Sequence, residues 1–307
     1  MVAIEYHIPV LLSESVTGLA VRPDGVYVDL TYGGGGHSRE ILKQITTGKL
    51  ISFDQDPAML DRLIDDSRFE FVQHNFRFFA NYLNYLGFHK IDGILADLGV
   101  SSEHLDNPER GFSFRSDAPL DMRMSPGLKK SAADILRESE EQELKRILQE
   151  YGEVENAHRI ARRIVETRQA NPILTTFSLA GCLRPLFPMN RENKMLAQVF
   201  QALRIAVNHE IESLKEMLSQ TAAFLKPGGR LVVISYHSLE DRLVKNYIKG
   251  GNAEGTINTD LFGQTLTPFK AINRKVIVPG DEENNRNSRA RSARLRIAER
   301  TEYQANV

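Results

Sequence analysis

Three carboxylates and a run of glycines are spaced along the first hundred residues in a way that suits one kind of chemistry. Asp29 is followed by Leu-Thr-Tyr, by four consecutive glycines from Gly33 to Gly36, and then by His37 and Ser38. Asp54 falls 18 residues after Gly36, and Asp97 closes a later apolar run. A turn free of side chains between a first strand and a first helix lets a ligand lie against the backbone, and an acid about 20 residues on can take a ribose diol. The pair is arranged for a cofactor that carries adenosine. The dinucleotide fingerprint G-x-G-x-x-G is not met, because Ser38 lies three residues after Gly35 and Arg39 three after Gly36. Asp29 with Gly33 and Gly35 fits instead the looser acid-x-x-x-Gly-x-Gly turn of enzymes that use S-adenosylmethionine, which has no pyrophosphate to seat. The sulfonium of that cofactor is already an activated methyl electrophile, so alignment is the protein's main task. If the nucleophile is an exocyclic amine, a hydrogen-bond acceptor such as Asp97 would favour its pyramidalisation and take up the proton. Asp97 could equally hold the cofactor's own amino group, and the residues leave both roles open. Two other readings compete. A nicotinamide-dependent dehydrogenase is disfavoured by the glycine spacing. A non-catalytic nucleotide- or RNA-binding module is disfavoured by Asp54 and Asp97 standing beside a full glycine run.

The elements needed to position these groups are legible as a strand–helix rhythm. GVYVDLT (25–31), KLISFD (49–54), RFEFVQH (68–74) and KIDGILAD (90–97) read as four strands with helical patterns between them, which predicts a parallel, doubly wound α/β sheet of Rossmann-like type. From about residue 104 to 205 no strand pattern is evident. Ser131 and Asp134 form a capping signature ahead of a helix over 131–152, and Val154, Ala157, Ile160, Ala161, Ile164 and Val165 mark the inward stripe of a second. The spacing predicts an inserted all-helical domain, which divides the chain into 1–103, 104–205 and 206–307. One long helix is expected over 192–225, with Phe200, Leu203, Val207, Ile211, Leu214 and Leu218 inward, stopped by the glycines of KPGG (226–229). GRLVVISYHS (229–238), KVIVP (275–279) and SARLRIAER (292–300) are the expected later strands.

Composition narrows the class further. The 307 residues are 41% hydrophobic and 26% charged with a net charge of −1, which disfavours indiscriminate binding to nucleic acid without excluding a local basic patch. Cys182 is the sole cysteine, so neither an internal disulfide nor a multi-cysteine zinc site is available, and the eight histidines show no ligand spacing that would call for a metal. No apolar run is long enough to span a bilayer, and MVAIEYHIPVLLSES lacks the basic start of a signal peptide. A cytoplasmic protein without a membrane partner is expected. A homodimer is one assembly open to it.

Longer blocks carry a resemblance. HIPVLLSESV (7–16), DLTYGGGGHSREIL (29–42), DGILADLGVSS (92–102), ERGFSF…DAPLDMRM (109–124), FQALRIAVNHEI (200–211), SYHSLEDRLVK (235–245) and RARSARLRIAE (289–299) occur in this order. Together they resemble the signature blocks of the bacterial small-subunit (16S) rRNA cytosine-N4 methyltransferase family, MraW or RsmH, over nearly the whole chain. The resemblance implies a methyltransferase fold and methyl transfer from S-adenosylmethionine to N4 of one cytidine in the decoding region of 16S rRNA, in the small ribosomal subunit. It implies cofactor contacts at Gly34, Gly35, Gly36, His37, Asp54, Phe76 and Asp97, and at position 104, where His104 replaces the glutamine usual in the family. The Pro-Pro-aromatic turn of many base amino-methyltransferases is absent after Asp97. Asp97 and His237 are therefore the catalytic candidates, with Ser101 and Ser235 as further polar groups near strand ends. Arg110, Arg115 and Arg123, with Arg159 and Arg163 of the helical insertion and Arg289 and Arg291 near the C-terminus, are expected to grip the RNA backbone. The arginines of 158–168 also read as an ordinary solvated helical face.

Overall fold

A computed structural model describes residues 9–101, 104, 105, 107–263 and 265–303. His7 and Ile8 of the first block and Ser102 of DLGVSS lie outside the described residues. In chain order the elements are α1 (Leu12–Leu19), β1 (Val26–Asp29), α2 (Gly36–Gln44), β2 (Lys49–Asp54), β3 (Phe69–Gln73), α3 (Phe79–Tyr85), β4 (Ile91–Asp97), α4 (Ala132–Glu138), α5 (Glu141–Gly152), α6 (Ala157–Ala170), α7 (Thr176–Leu183), α8 (Glu192–Asn208), α9 (Glu210–Phe224), β5 (Leu225–Ser235), α10 (Ser238–Gly250), β6 (Phe269–Ala271), α11 (Asp281–Arg286) and β7 (Arg294–Arg300). The chain divides into two compact units, one of Met1–Gly99 with Ile211–Val307 and one of Val100–Glu210. Among the described residues no helix is long and apolar enough to cross a membrane.

The first unit is built on a seven-stranded sheet in the order β3-β2-β1-β4-β5-β7-β6. β1 to β5 run parallel, β7 is antiparallel to β5, and β6 is antiparallel to β7. Alternate residues of each strand enter separate cores. Val28, Ile51, Ile94, Leu231 and Val233 join Phe79, Leu83, Leu214, Leu218, Val244 and Ile248 from α3, α9 and α10. Tyr27, Leu50, Leu95, Val232 and Ile297 join Val16, Leu19, Ile41 and Leu42 from α1 and α2. Period-two burial on both faces is why these strands read as near-continuous apolar runs. The order reverses between β1 and β4, and an open parallel sheet binds its ligands beyond the carboxyl ends of strands at such a point. Asp29, Asp54 and Asp97 are the last residues of β1, β2 and β4.

The second unit is helical around its own core, which includes Leu144, Leu148, Ile160, Ile164, Leu179, Leu196, Val199 and Leu203. Ser131 caps α4 in a reciprocal box with Asp134, as the spacing predicts. The segment expected as one helix over 131–152 is two, α4 and α5, separated at Ser139–Glu140.

Three further expectations are corrected. The long helix over 192–225 breaks at His209, whose φ of 52° is left-handed; Phe200, Leu203 and Val207 fill one core, Leu214 and Leu218 the other. The apolar spacing continues through the break without glycine or proline, so periodicity alone does not reveal it. α9 ends at Phe224, close to the expected stop, but KPGG lies inside β5 and is not the helix terminus itself: Leu225 already pairs with Ile91, and the register shifts before Arg230 pairs with Gly93. The glycines therefore serve a bulge. Finally, KVIVP contributes only an isolated bridge between Ile277 and Leu295, with Val278 57% exposed, whereas Phe269–Ala271 forms the edge strand on β7. Three residues beginning just after Pro268 are too few to show a period.

Candidate active site

The turn between β1 and α2 is tied down from beneath by Asp29. Its carboxylate is fully buried, accepts the Ser38 hydroxyl at 2.6 Å and the Thr31 N–H at 3.1 Å, and so joins the end of β1 to the first turn of α2. Ser38 Oγ is also 2.9 Å from Ser52 Oγ of β2. Burial, opposed by the Ser38 bond, pushes the Asp29 carboxyl up to about 6. Asp29 thus shapes the turn and offers nothing to solvent.

The four glycines are not equivalent. Gly35 has a φ of 73°, and a Cβ there would stand 2.8 Å from the Tyr32 ring; a Cβ on Gly36 would stand 2.0 Å from Pro9 Cγ. The protein itself requires both. Gly34 is exposed, its φ is not left-handed, and a Cβ would meet nothing within 4 Å. The protein makes no use of the missing side chain at Gly34, and that open space at the mouth of the turn fits a ligand pressed against the backbone.

Asp54 is held beside this turn, its Oδ2 accepting the Gly33 N–H and its Oδ1 the Asp56 N–H, both at 2.9 Å. A half-buried carboxylate with its plane fixed in this way suits a vicinal diol. Asn75 caps a 3₁₀ turn at Phe76–Phe78 through the Arg77 N–H and donates from Nδ2 to Gln55 Oε1 at 2.9 Å. That bond ties the loop after β3 to the loop after β2 and sets Phe76, half-buried against the core, beside the same strand ends.

At the end of β4, Asp97 Oδ1 accepts the Tyr236 hydroxyl at 2.7 Å, and its N–H donates to Thr31 Oγ1 at 2.6 Å. Oδ2 lies 4.0 Å from His37 Nδ1. The His37 ring is buried, with Nε2 3.2 Å from the Val10 carbonyl oxygen, which directs Nδ1 toward Asp97. The Asp97 side chain keeps 22% exposure. Burial pushes its carboxyl up to about 7; the Tyr236 bond opposes the rise, and the negative charges of Asp29 and Glu240 add to it. Burial, reinforced by Asp97, raises the Tyr236 phenol as well, so it is a proton donor to Asp97 throughout the ordinary pH range.

Tyr236 is not among the residues the sequence singles out, although Ser235 and His237 on either side of it are. The signal available was a phenol one step beyond the fifth strand, next to the strand that ends in Asp97. His237, the second catalytic candidate, is committed elsewhere. It is the N-cap of α10, accepting the Glu240 N–H at Nδ1, with Nε2 3.2 Å from Glu240 Oε1 and a side chain only 7% exposed. Glu240 in turn accepts the Tyr236 N–H at 2.9 Å. Asp241 takes Arg296 through two bonds at 2.7 and 3.0 Å and Arg294 through one at 3.2 Å. Most of SYHSLEDR therefore fixes the turn from β5 into α10, on which Tyr236 lies.

The remaining expected residues are scattered. His104 belongs to the second unit, buried, within 3.1 Å of Ser101 Oγ and beside the Phe112 ring. Arg110 and Arg123, expected to hold RNA, are used inside the protein. Arg110 donates to the carbonyls of Arg123 and Met124, and Arg123 makes a forked pair with Asp121 at 2.7 and 2.8 Å. These two arginines are clasps of the ERGFSF…LDMRM segment. Arg115 and Arg159 are exposed, as is Arg163, which donates to the Cys182 carbonyl. Arg289 and Arg291 are exposed on a 3₁₀ turn of the first unit.

Comparison with known proteins gives a consistent result. Proteins named ribosomal RNA small subunit methyltransferase H are 54% identical in Phocaeicola vulgatus over 296 residues, covering 96% of this chain and 97% of that one. They are 53% identical in Christiangramia forsetii over 299 residues (97% and 99% covered) and 54% in Cytophaga hutchinsonii over 297 residues (96% and 99% covered). The model of the MraW methylase family matches residues 5–301. That match takes in the glycine turn, the three strand-end acids and the helical unit alike, and the chain belongs to the MraW methylase family.

Proposed function

We propose that the protein methylates the exocyclic N4 of a single cytidine in the decoding region of 16S rRNA, acting in the cytoplasm on the small ribosomal subunit. The observation that carries this reading is the Asp97 carboxyl beside the glycine turn, oriented by Tyr236 and facing His37. The residues fit S-adenosylmethionine: open space over Gly34, the first turn of α2, Asp54 for the ribose hydroxyls and Phe76 beside them. That cofactor, when bound, supplies an electrophilic methyl group. The protein's part is to align an amine whose lone pair is delocalised into the base. With Tyr236 occupying Oδ1, Asp97 Oδ2 is the oxygen left to accept an N4–H hydrogen bond. That bond favours a pyramidal nitrogen and gives the proton released on methylation a destination. The exposed Arg115, Arg159 and Arg163 support an RNA-recognition role for the helical unit, since a cytidine in folded RNA must be splayed out to react.

Tyr236→Phe should separate orientation from chemistry. The hydroxyl lowers the Asp97 pKa, so its loss moves the rising limb of the pH–rate profile to higher pH. Turnover at pH 7 is expected to fall about tenfold, the worth of one hydrogen bond to a charged group, and to recover in part as pH is raised. A variant profile superimposable on the wild type would remove Tyr236 from the mechanism. The function itself is tested by incubating the protein with methyl-labelled S-adenosylmethionine and small subunits from cells that lack it, then digesting to nucleosides. Label in N4-methylcytidine is expected. Label confined to any other nucleoside would overturn the reading.

A further inference from the structure

Residues 251–268 join α10 to the edge strand β6, and their root is fastened to the C-terminal end of the helix. Asn246 Nδ2 donates to the Ala253 carbonyl at 2.9 Å, Thr267 Oγ1 to the Ile248 carbonyl at 3.3 Å, and Asn252 Nδ2 to the Gly250 carbonyl at 2.9 Å. Beyond the root the chain forms a short hairpin, with Thr259 bridged to Thr265 and the Leu266 N–H donating to Asn258 O at 2.7 Å. The tip is a tight turn. Asp260 Oδ1 accepts the Phe262 N–H at 2.8 Å, Asp260 O accepts the Gly263 N–H at 3.1 Å, and Gly263 takes a φ of 80°. Asp260 and Gly263 suffice to make this turn. The two positions between them carry Leu261 and Phe262, 100% and 89% exposed. Two adjacent large apolar side chains held in water at a turn tip serve nothing in the fold.

The helix that carries the hairpin indicates the partner. Past Ser238, the exposed residues of α10 are Arg242, Lys245 and Lys249, spaced to share one face, while Glu240 and Asp241 are buried. That face spans about 10 Å. It is positive in a chain whose net charge is −1. A row of cations on the helix that roots a hairpin with an exposed aromatic at its tip is complementary to an anionic polymer that displays flat, unpaired bases.

We propose that α10 and the 251–268 hairpin form a second RNA-contact surface, with Phe262 and Leu261 stacking on an unpaired base of the ribosomal RNA and Lys245 and Lys249 holding its phosphates. This rests on the rRNA methyltransferase reading and extends it. The surface is remote from the reacting group. β5 and β6 run in the same direction, both antiparallel to β7, so the hairpin enters β6 at the sheet edge opposite the carboxyl end where Asp97 lies. Its contribution is to binding and not to the chemical step.

The test measures binding and turnover together on small subunits from cells lacking the enzyme. The L261S/F262S variant is expected to raise KM for subunits about tenfold, in line with the loss of one base–aromatic stack, with kcat and S-adenosylmethionine affinity unchanged. Phe262→Trp is expected to retain wild-type KM. K245Q/K249Q should weaken binding and lower the slope of log affinity against log salt by about 1–2. A photoreactive p-benzoylphenylalanine in place of Phe262 is expected to crosslink to 16S rRNA. An unchanged KM in L261S/F262S, or a crosslink only to ribosomal protein, would overturn the proposal. A wild-type protein that neither binds nor methylates subunits would instead sink the rRNA reading, and this surface with it.

Discussion

Asp97→Asn is expected to lower turnover by about 10²- to 10⁴-fold, the range for loss of a positioned proton acceptor, with cofactor affinity little changed. The substituted amide keeps the size of the side chain and can still accept the Tyr236 hydroxyl, so the strand end should stay intact. What disappears is the charge that draws an amine proton. The pH dependence gives a second readout. Because burial raises the Asp97 carboxyl to about 7, the acceptor form is the minor one below pH 7 and the major one above it. Wild-type kcat/KM should therefore climb through about pH 7 and level off, and this limb should be missing from Asp97→Asn. If turnover held while S-adenosylmethionine affinity fell, Asp97 would be serving the cofactor's amino group and the proton acceptor would lie elsewhere.

The second large effect concerns two adjacent kinds of glycine. Gly34→Ala is expected to weaken S-adenosylmethionine binding about 10- to 100-fold, the penalty for overfilling a close contact. Its thermal stability should stay within about 0.5 kcal/mol of wild type, because the protein presents nothing within 4 Å of the new methyl group. Gly36→Ala should behave in the opposite sense. Its Cβ falls 2.0 Å from Pro9 Cγ, so a loss of about 1–3 kcal/mol in stability is expected whether or not ligand is bound. Calorimetric titration with thermal melts separates the two. Undiminished affinity in Gly34→Ala would mean that the space over the turn is not where the cofactor lies.

The strands were easy to read because burial on both faces writes itself into consecutive apolar residues: KLISFD is β2 without a residue's difference. The acids at strand ends followed from the same rhythm, and the Ser131–Asp134 cap from its spacing. Other features depend on contacts that no local pattern encodes. Tyr236 meets Asp97 only because β5 lies beside β4, the two residues being 139 positions apart in the chain. Arg110 and Arg123 look like any other arginines in a basic block until their carbonyl and carboxylate partners are known. The break at His209 hides in an apolar stripe that is correct on both sides of it but serves two different cores. The dehydrogenase reading, already at odds with the glycine spacing, is set aside by membership of a methylase family.

The interruption of the sheet unit by residues 100–210 has a consequence during synthesis. Ile94 is paired with Leu231 in the finished sheet. On the ribosome β4 must therefore stand as an open edge until β5 emerges, on the order of ten seconds later at ~5–20 residues per second. Open edges recruit stray strands. The helical unit is made wholly within that interval, and its own contacts are local enough to close first. Nascent chains of this protein should then pass through a stage with a folded helical unit and an unfinished sheet, when β4 is most in need of a chaperone.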